Sequence, residues 1–136
     1  MNLYTRLIID EGALLNLYVD SVGKHSIGIG RNLSDRGIRP DEMELMFRND
    51  VKEAKSELLR NHPWVIGLDE PRREVLINMV FNMGITTFNK FVNTLANVKK
   101  GNYTKAAVEM LDSKWARQVG PRATRLAKQM ETGRRV

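Results

Sequence analysis

The chain has 136 residues with 22 Lys+Arg, 16 Asp+Glu, two His and no Cys, a size for one compact domain or two lobes sharing a core. Lack of cysteine excludes a disulfide framework. With only His25 and His62 as nitrogen ligands, a zinc hydrolase is not expected, nor any other cofactor. The net charge of +6 lies entirely in residues 113–136, where Lys114, Arg117, Arg122, Arg125, Lys128, Arg134 and Arg135 face Glu131 alone.

Asn2 to Asp10 reads as a short helix with Leu3, Leu7 and Ile8 on one stripe, stopped by Gly12. The period then changes. Leu15, Leu17 and Val19 alternate with Asn16, Tyr18 and Asp20, and Ile27 and Ile29 alternate with Ser26, Gly28 and Gly30. This predicts a β-hairpin turning at Ser21–Lys24. Arg31 to Arg39 reads as a polar loop. Pro40 opens a long amphipathic helix through Met43, Met46, Phe47, Val51, Ala54 and Leu58, ending near Arg60 ahead of Pro63. Asp69-Glu70-Pro71 begins a helix whose Val75, Leu76, Met79, Val80 and Met83 leave little polar surface, the expected buried central helix, stopped at Gly84. Phe88, Phe91, Val92, Leu95 and Val98 predict one further helix before Gly101. Tyr103, Ala106, Ala107, Met110 and Leu111 predict another, and the tail carries one or two short helices around Pro121.

The fold class is therefore α+β and mostly α. A small lobe bearing a β-hairpin or sheet is joined by a long helix to a larger helical lobe. The expected division groups residues 12–60 as the small lobe with its bridging helix, and 1–11 with 61–136 as the helical lobe. A cleft between such lobes is a common ligand site.

The longest uncharged run, Val75 to Asn89, is 15 residues and contains three Asn, short of the ~20 apolar residues that span a bilayer. Arg6, Asp10 and Glu11 interrupt any signal-peptide core. A soluble, monomeric protein made in a cytoplasm, without stable membrane association, is expected. The basic tail suits an anionic partner such as nucleic acid, an acidic membrane or a cell wall, and equally a solvated helix.

Two carboxylates stand apart from the charged helix faces. Glu11 ends the first helix directly before Gly12, where the partial negative charge of a helix C-terminus favours a carboxyl that keeps its proton. Asp20 ends the first strand in a water-exposed turn. Such a pair is the minimum equipment for cleaving a glycosidic bond. Taken alone, Glu11 also fits a helix-end residue and Asp20 a turn former. Ser26, Gly28 and Gly30 form a nearly side-chain-free face on the second strand, which lets a bulky ligand approach the backbone. Ser26 could position a water between the carboxyls.

The segments Asp10-Glu11-Gly12, Tyr18-x-Asp20 and Gly23-x-x-Ser26-Ile27-Gly28-x-Gly30 resemble the active-site region of the phage-type lysozymes of glycoside hydrolase family 24, in their T4-type branch. Leu68-Asp69, Arg72-Arg73 and Ile77 to Gly84 resemble that family's central helix. Ala106-Ala107-Val108, Ser113-Lys114-Trp115 and Pro121-Arg122-Ala123 resemble its C-terminal segments, so the likeness covers nearly the whole chain in order. It implies a muramidase in which Glu11 is the general acid, Asp20 the second catalytic carboxylate, and Ser26, at a position usually Thr, holds the attacking water. Saccharide contacts fall at Asn32, Phe81, Thr94 and Glu109, with Arg122, Asn82 and Trp115 supporting the acid. Only Phe81 of the four contacts keeps the expected residue type. Arg31 stands where the family commonly has His, and the 31–40 stretch is shortened.

The resemblance implies hydrolysis of the β-1,4 bond between N-acetylmuramic acid and N-acetylglucosamine in peptidoglycan. It implies a bacteriolytic bacteriophage endolysin, antimicrobial by cytolysis, waiting in the host cytoplasm for a pore-forming holin that releases it to the cell wall. It also implies a carboxyl separation in the inverting range, roughly 6.5–9.5 Å. The anionic wall fits the basic tail, and no nucleic acid is required. Two alternatives predict different products. A lytic transglycosylase would leave 1,6-anhydro ends and needs no water-directing Asp. A basic wall- or nucleic-acid-binding protein would leave walls intact.

Overall fold

A computed structural model describes residues 1–136. The chain divides into two compact units, residues 1–46 and 47–136, and the division falls inside one long helix.

In the first unit, α1 (Leu3–Glu11) is capped at both ends. The Asn2 side chain accepts from the Thr5 N–H at 2.9 Å, and the Gly12 N–H donates to the Ile8 carbonyl. A three-stranded antiparallel sheet follows, ordered β1 (Leu14–Val19), β2 (His25–Gly28) and β3 (Arg31–Asn32). Leu14 opposes Gly28 and Tyr18 opposes Ser26, so three residues of β1 face one of β2 and the edge strand bulges. The expected alternation through Ile29 and Gly30 stops at Gly28. Gly28 and Gly30 adopt φ +69° and +67°, which turns the chain back so that Ile27 pairs with Arg31. The stretch expected as a polar loop, 31–39, is ordered. It supplies β3 and then α2 (Leu33–Arg36), whose N-terminus is capped by Asn32.

α3 (Pro40–Asn61) begins at the expected proline and carries the chain from one unit into the other. The expected grouping of residues 1–11 with 61–136 differs from the observed division, in which α1 goes with the sheet it runs directly into.

The second unit is helical. A 3₁₀ turn (Pro63–Gly67) precedes α4 (Glu70–Met83), whose N-cap Asp69 accepts from the Arg72 N–H. Val75, Leu76 and Met79 of α4 are fully buried, the expected central helix. Instead of one helix over 88–98 there are two, α5 (Ile85–Phe88) and α6 (Val92–Lys99). Between them Lys90 and Phe91 donate to carbonyls three residues back. That tightening ends α5 and sets Phe91 edge-on to Trp115, ring centroids 6.1 Å apart. α7 (Tyr103–Leu111), α8 (Lys114–Val119) and α9 (Pro121–Thr132) complete the unit. Ala106 and Ala107 on α7 and Ala123 and Ala127 on α9 are buried, and the two helices pack against each other.

Arg72 ties this unit together. Its Nε and Nη2 donate to the Met130 and Glu131 carbonyls at 2.7 and 2.8 Å, closing the end of α9. Its guanidinium lies 3.6 Å over the Tyr103 ring. Nearby, Gln129 donates to the Pro71 carbonyl. No helix is long and apolar enough to cross a membrane.

Candidate active site

The first unit carries Glu11, Asp20, Ser26 and Asn32. Glu11 is the last residue of α1, and the left-handed Gly12 (φ +75°) redirects the chain straight after it. Its carboxyl lies against Gly30. A Cβ built on Gly30 would sit 2.6 Å from Glu11 Oε2 and 2.8 Å from Cδ. Only a residue without a side chain allows that approach.

Asp20 closes the β1–β2 turn. Its N–H donates to the Lys24 carbonyl, and its Oδ1 accepts from the N–H groups of Val22 (3.0 Å) and Lys24 (2.9 Å). Both side-chain bonds end on Oδ1, so Oδ2 takes no part in the turn. Ser26, on β2, opposes Tyr18 on one side and Asn32 on the other. It is 3% exposed. Asn32 bonds locally, accepting from the Asp35 N–H and donating Nδ2 to the Asp35 carboxylate. Asp35 also pairs with Lys24 at 3.1 Å. The Lys24 bond, then that of Asn32, holds the Asp35 carboxyl below its ordinary range.

The sequence singled out Arg31 only as a departure. Its Nη1 and Nη2 donate to the two Glu42 carboxylate oxygens, each at 2.7 Å, and Nη1 also reaches the Gly37 carbonyl. The Arg39 N–H adds a third donor to Glu42. The Arg31 bonds, and after them that of Arg39, pull the Glu42 carboxyl down to about 2. The only hint of this partner was an acidic residue in the first turn of α3.

The other six expected residues lie in the second unit, and the structure sorts them into separate groups. Thr94, Glu109 and Trp115 line one pocket of about 560 Å³ together with Lys90, Asp112 and Lys114. Phe81 and Arg122 instead line a pocket of about 390 Å³ with Phe47 and Asn78. Phe81 stands edge-on to Phe47 at 6.0 Å, and Arg122 donates twice to Asn78 Oδ1. Asn82 accepts from the Trp115 indole N–H at 2.8 Å. The chain's two buried polar residues are Ser26 and Thr94, at 3% and 2% exposure. The sequence marks both as site positions.

Among the tail cations, Arg135 bonds Glu74 at 2.9 and 3.0 Å and lies 3.6 Å from Glu70. One of the seven basic tail residues is thus matched by acidic partners on α4.

The phage lysozyme family model matches residues 9–133. Two proteins of Dictyostelium discoideum, described as probable T4-type lysozymes 2 and 1, are 27% and 28% identical over 91% of this chain and 90% of their own length. The pre-baseplate central spike protein Gp5 of Enterobacteria phage T4 is 25% identical over 98% of this chain and 28% of its own.

Proposed function

The chain belongs to the phage lysozyme family and is a lysozyme-type peptidoglycan hydrolase, and we propose that it cuts the β-1,4 bond between N-acetylmuramic acid and N-acetylglucosamine with Glu11 as general acid and Asp20 as second carboxylate. The observation that carries this reading is the seat of Glu11. Its carboxyl rests on the bare backbone of Gly30, where no side chain at position 30 stands between it and a sugar.

In this mechanism Glu11 gives its proton to the glycosidic oxygen as the bond to C1 breaks. Positive charge then spreads over C1 and the ring oxygen. A water held by the Ser26 hydroxyl attacks C1 from the opposite face and loses its proton to Asp20 through Oδ2. As product leaves, Asp20 releases the proton it took to solvent and Glu11 regains one, so the balance is one water consumed per bond. The family resemblance assigns saccharide contacts to Asn32, Phe81, Thr94 and Glu109, and supporting roles to Arg122, Asn82 and Trp115. The wall's peptide carboxylates attract the cations of α8 and α9.

The biological role in this reading is that of a phage endolysin released from the host cytoplasm through a holin pore. Digestion of a defined oligosaccharide tests the chemistry. Reducing muramic acid ends in the α-anomeric form, seen by NMR in fresh product, are expected. Anhydro-muropeptides by mass spectrometry would replace hydrolysis with transglycosylation, and a β-anomer would replace inversion with retention.

A further inference from the structure

Arg31 is the residue immediately after Gly30, and its side chain bonds the Glu42 carboxylate and the Gly37 carbonyl. The β2–β3 connection runs from Gly28 to Gly30 and closes on the Ile27–Arg31 pair. Its near side is held by the ladder to β1. Its far side has only the two residues of β3, a weak anchor for a turn on which a reacting group rests. The Arg31 guanidinium makes up the difference. It is partly buried and bonds both oxygens of Glu42 at 2.7 Å. Glu42 is in turn fixed in the first turn of α3 and tied to the Arg39 N–H. A fork-to-fork pair of this kind fixes direction as well as distance, which a single ammonium contact would not do.

We propose that the Arg31–Glu42 pair is a positioning device for Glu11, clamping the far side of the Gly28–Gly30 turn to α3 so that the backbone under the Glu11 carboxyl keeps its place during proton transfer. The inference rests on the assignment of Glu11 as general acid. Neither Arg31 nor Glu42 touches the carboxyl, so both act through the Gly30 backbone. The lever is geometric: displacement of a reacting group by about 1 Å costs on the order of 10²-fold in rate, and loosening a turn without unfolding it costs less.

The test is a double-mutant cycle of Glu42→Gln and Arg31→Met in the full chain, with Glu11→Gln measured beside it. Each single variant is expected to lower kcat on a defined oligosaccharide by about 10-fold with KM little changed, and to displace the limb of the pH–kcat profile that reports the acid. The double variant is expected to lose no more than either single one, because both remove the same link. Arg31→Lys, which keeps the charge without the fork, should recover only part of the loss. If the variants melt earlier but keep the wild-type kcat and pH profile, the pair is structural and the proposal is overturned. If Glu11→Gln itself keeps wild-type kcat, the acid is misassigned and the proposal falls with it. Loss in Glu11→Gln alone overturns only the positioning role.

Discussion

The carboxyl of Glu11 occupies the space that a side chain at Gly30 would fill, with Oε2 2.6 Å from the position of the missing Cβ. A helix end and a hairpin turn, 19 positions apart in the chain, thus share one small volume. Gly30→Ala is expected to destabilise the protein by ~1–3 kcal/mol for the left-handed backbone alone, with further loss from the collision, and to cut activity severely. Adding Glu11→Ala should return the collision part of the stability but not the backbone part. Urea unfolding of the two variants measures this. Equal stability of Gly30→Ala with and without Glu11→Ala would show that the two groups do not compete for space.

Glu11→Gln removes a proton donor and almost no volume. Wall lysis, followed by turbidity, should fall by about 10²–10⁴-fold while circular dichroism and melting are retained. Near-normal lysis would mean another group donates the proton.

The Glu42 carboxyl, held down to about 2 by Arg31 first and by the Arg39 N–H next, gives a pH signature. A depressed carboxyl contributes stability that is complete above its unfolded value, near 4.5, and is lost as pH falls from there through about 2. Melting temperature recorded between pH 6 and pH 2, roughly the span over which such a group titrates, should fall more steeply for the native chain than for Glu42→Gln. Parallel curves would show that Glu42 makes no folded-state link to protons.

Much of this architecture is legible in the residues, because it follows from local signals. Pro40 and Asp69 start helices, Gly12 and Gly84 stop them, and the period changes after Gly12. What escapes is set by tertiary bonds. Nothing local distinguishes Arg31 to Arg39 from any polar loop, yet Asn32 caps a helix there. No glycine or proline separates Phe88 from Val92, and the break between α5 and α6 comes with the packing of Phe91 on Trp115. In the site, residue types and order pointed to Glu11, Asp20 and Ser26. The bidentate partner of Arg31, 11 positions downstream, required coordinates.

The indole of Trp115 is buried and its N–H ends on Asn82. Asn82→Ala leaves that donor unpaired and is expected to cost ~1–3 kcal/mol, read by denaturant unfolding. A change within error would place a water on the indole nitrogen instead.

Arg134 and Arg135, equivalent in the sequence, separate in the structure. Arg135 is engaged by Glu74 and Glu70, and Glu74 is held below its ordinary range by that contact first. Arg134→Ser is expected to weaken wall binding at low salt and leave melting unchanged, whereas Arg135→Ser should also lower the melting temperature slightly. Identical salt and thermal profiles for the two variants would remove the distinction.

The guanidinium of Arg72, grasping carbonyls 58 and 59 positions further along, has a consequence for synthesis. While a ribosome is still making α9, α4 has its cap but not its clamp, and Ala106 and Ala107 on α7 lack the helix that packs over them. At ~5–20 residues per second the wait is a matter of seconds. Within that interval the helical unit presents an apolar surface that α9 later covers.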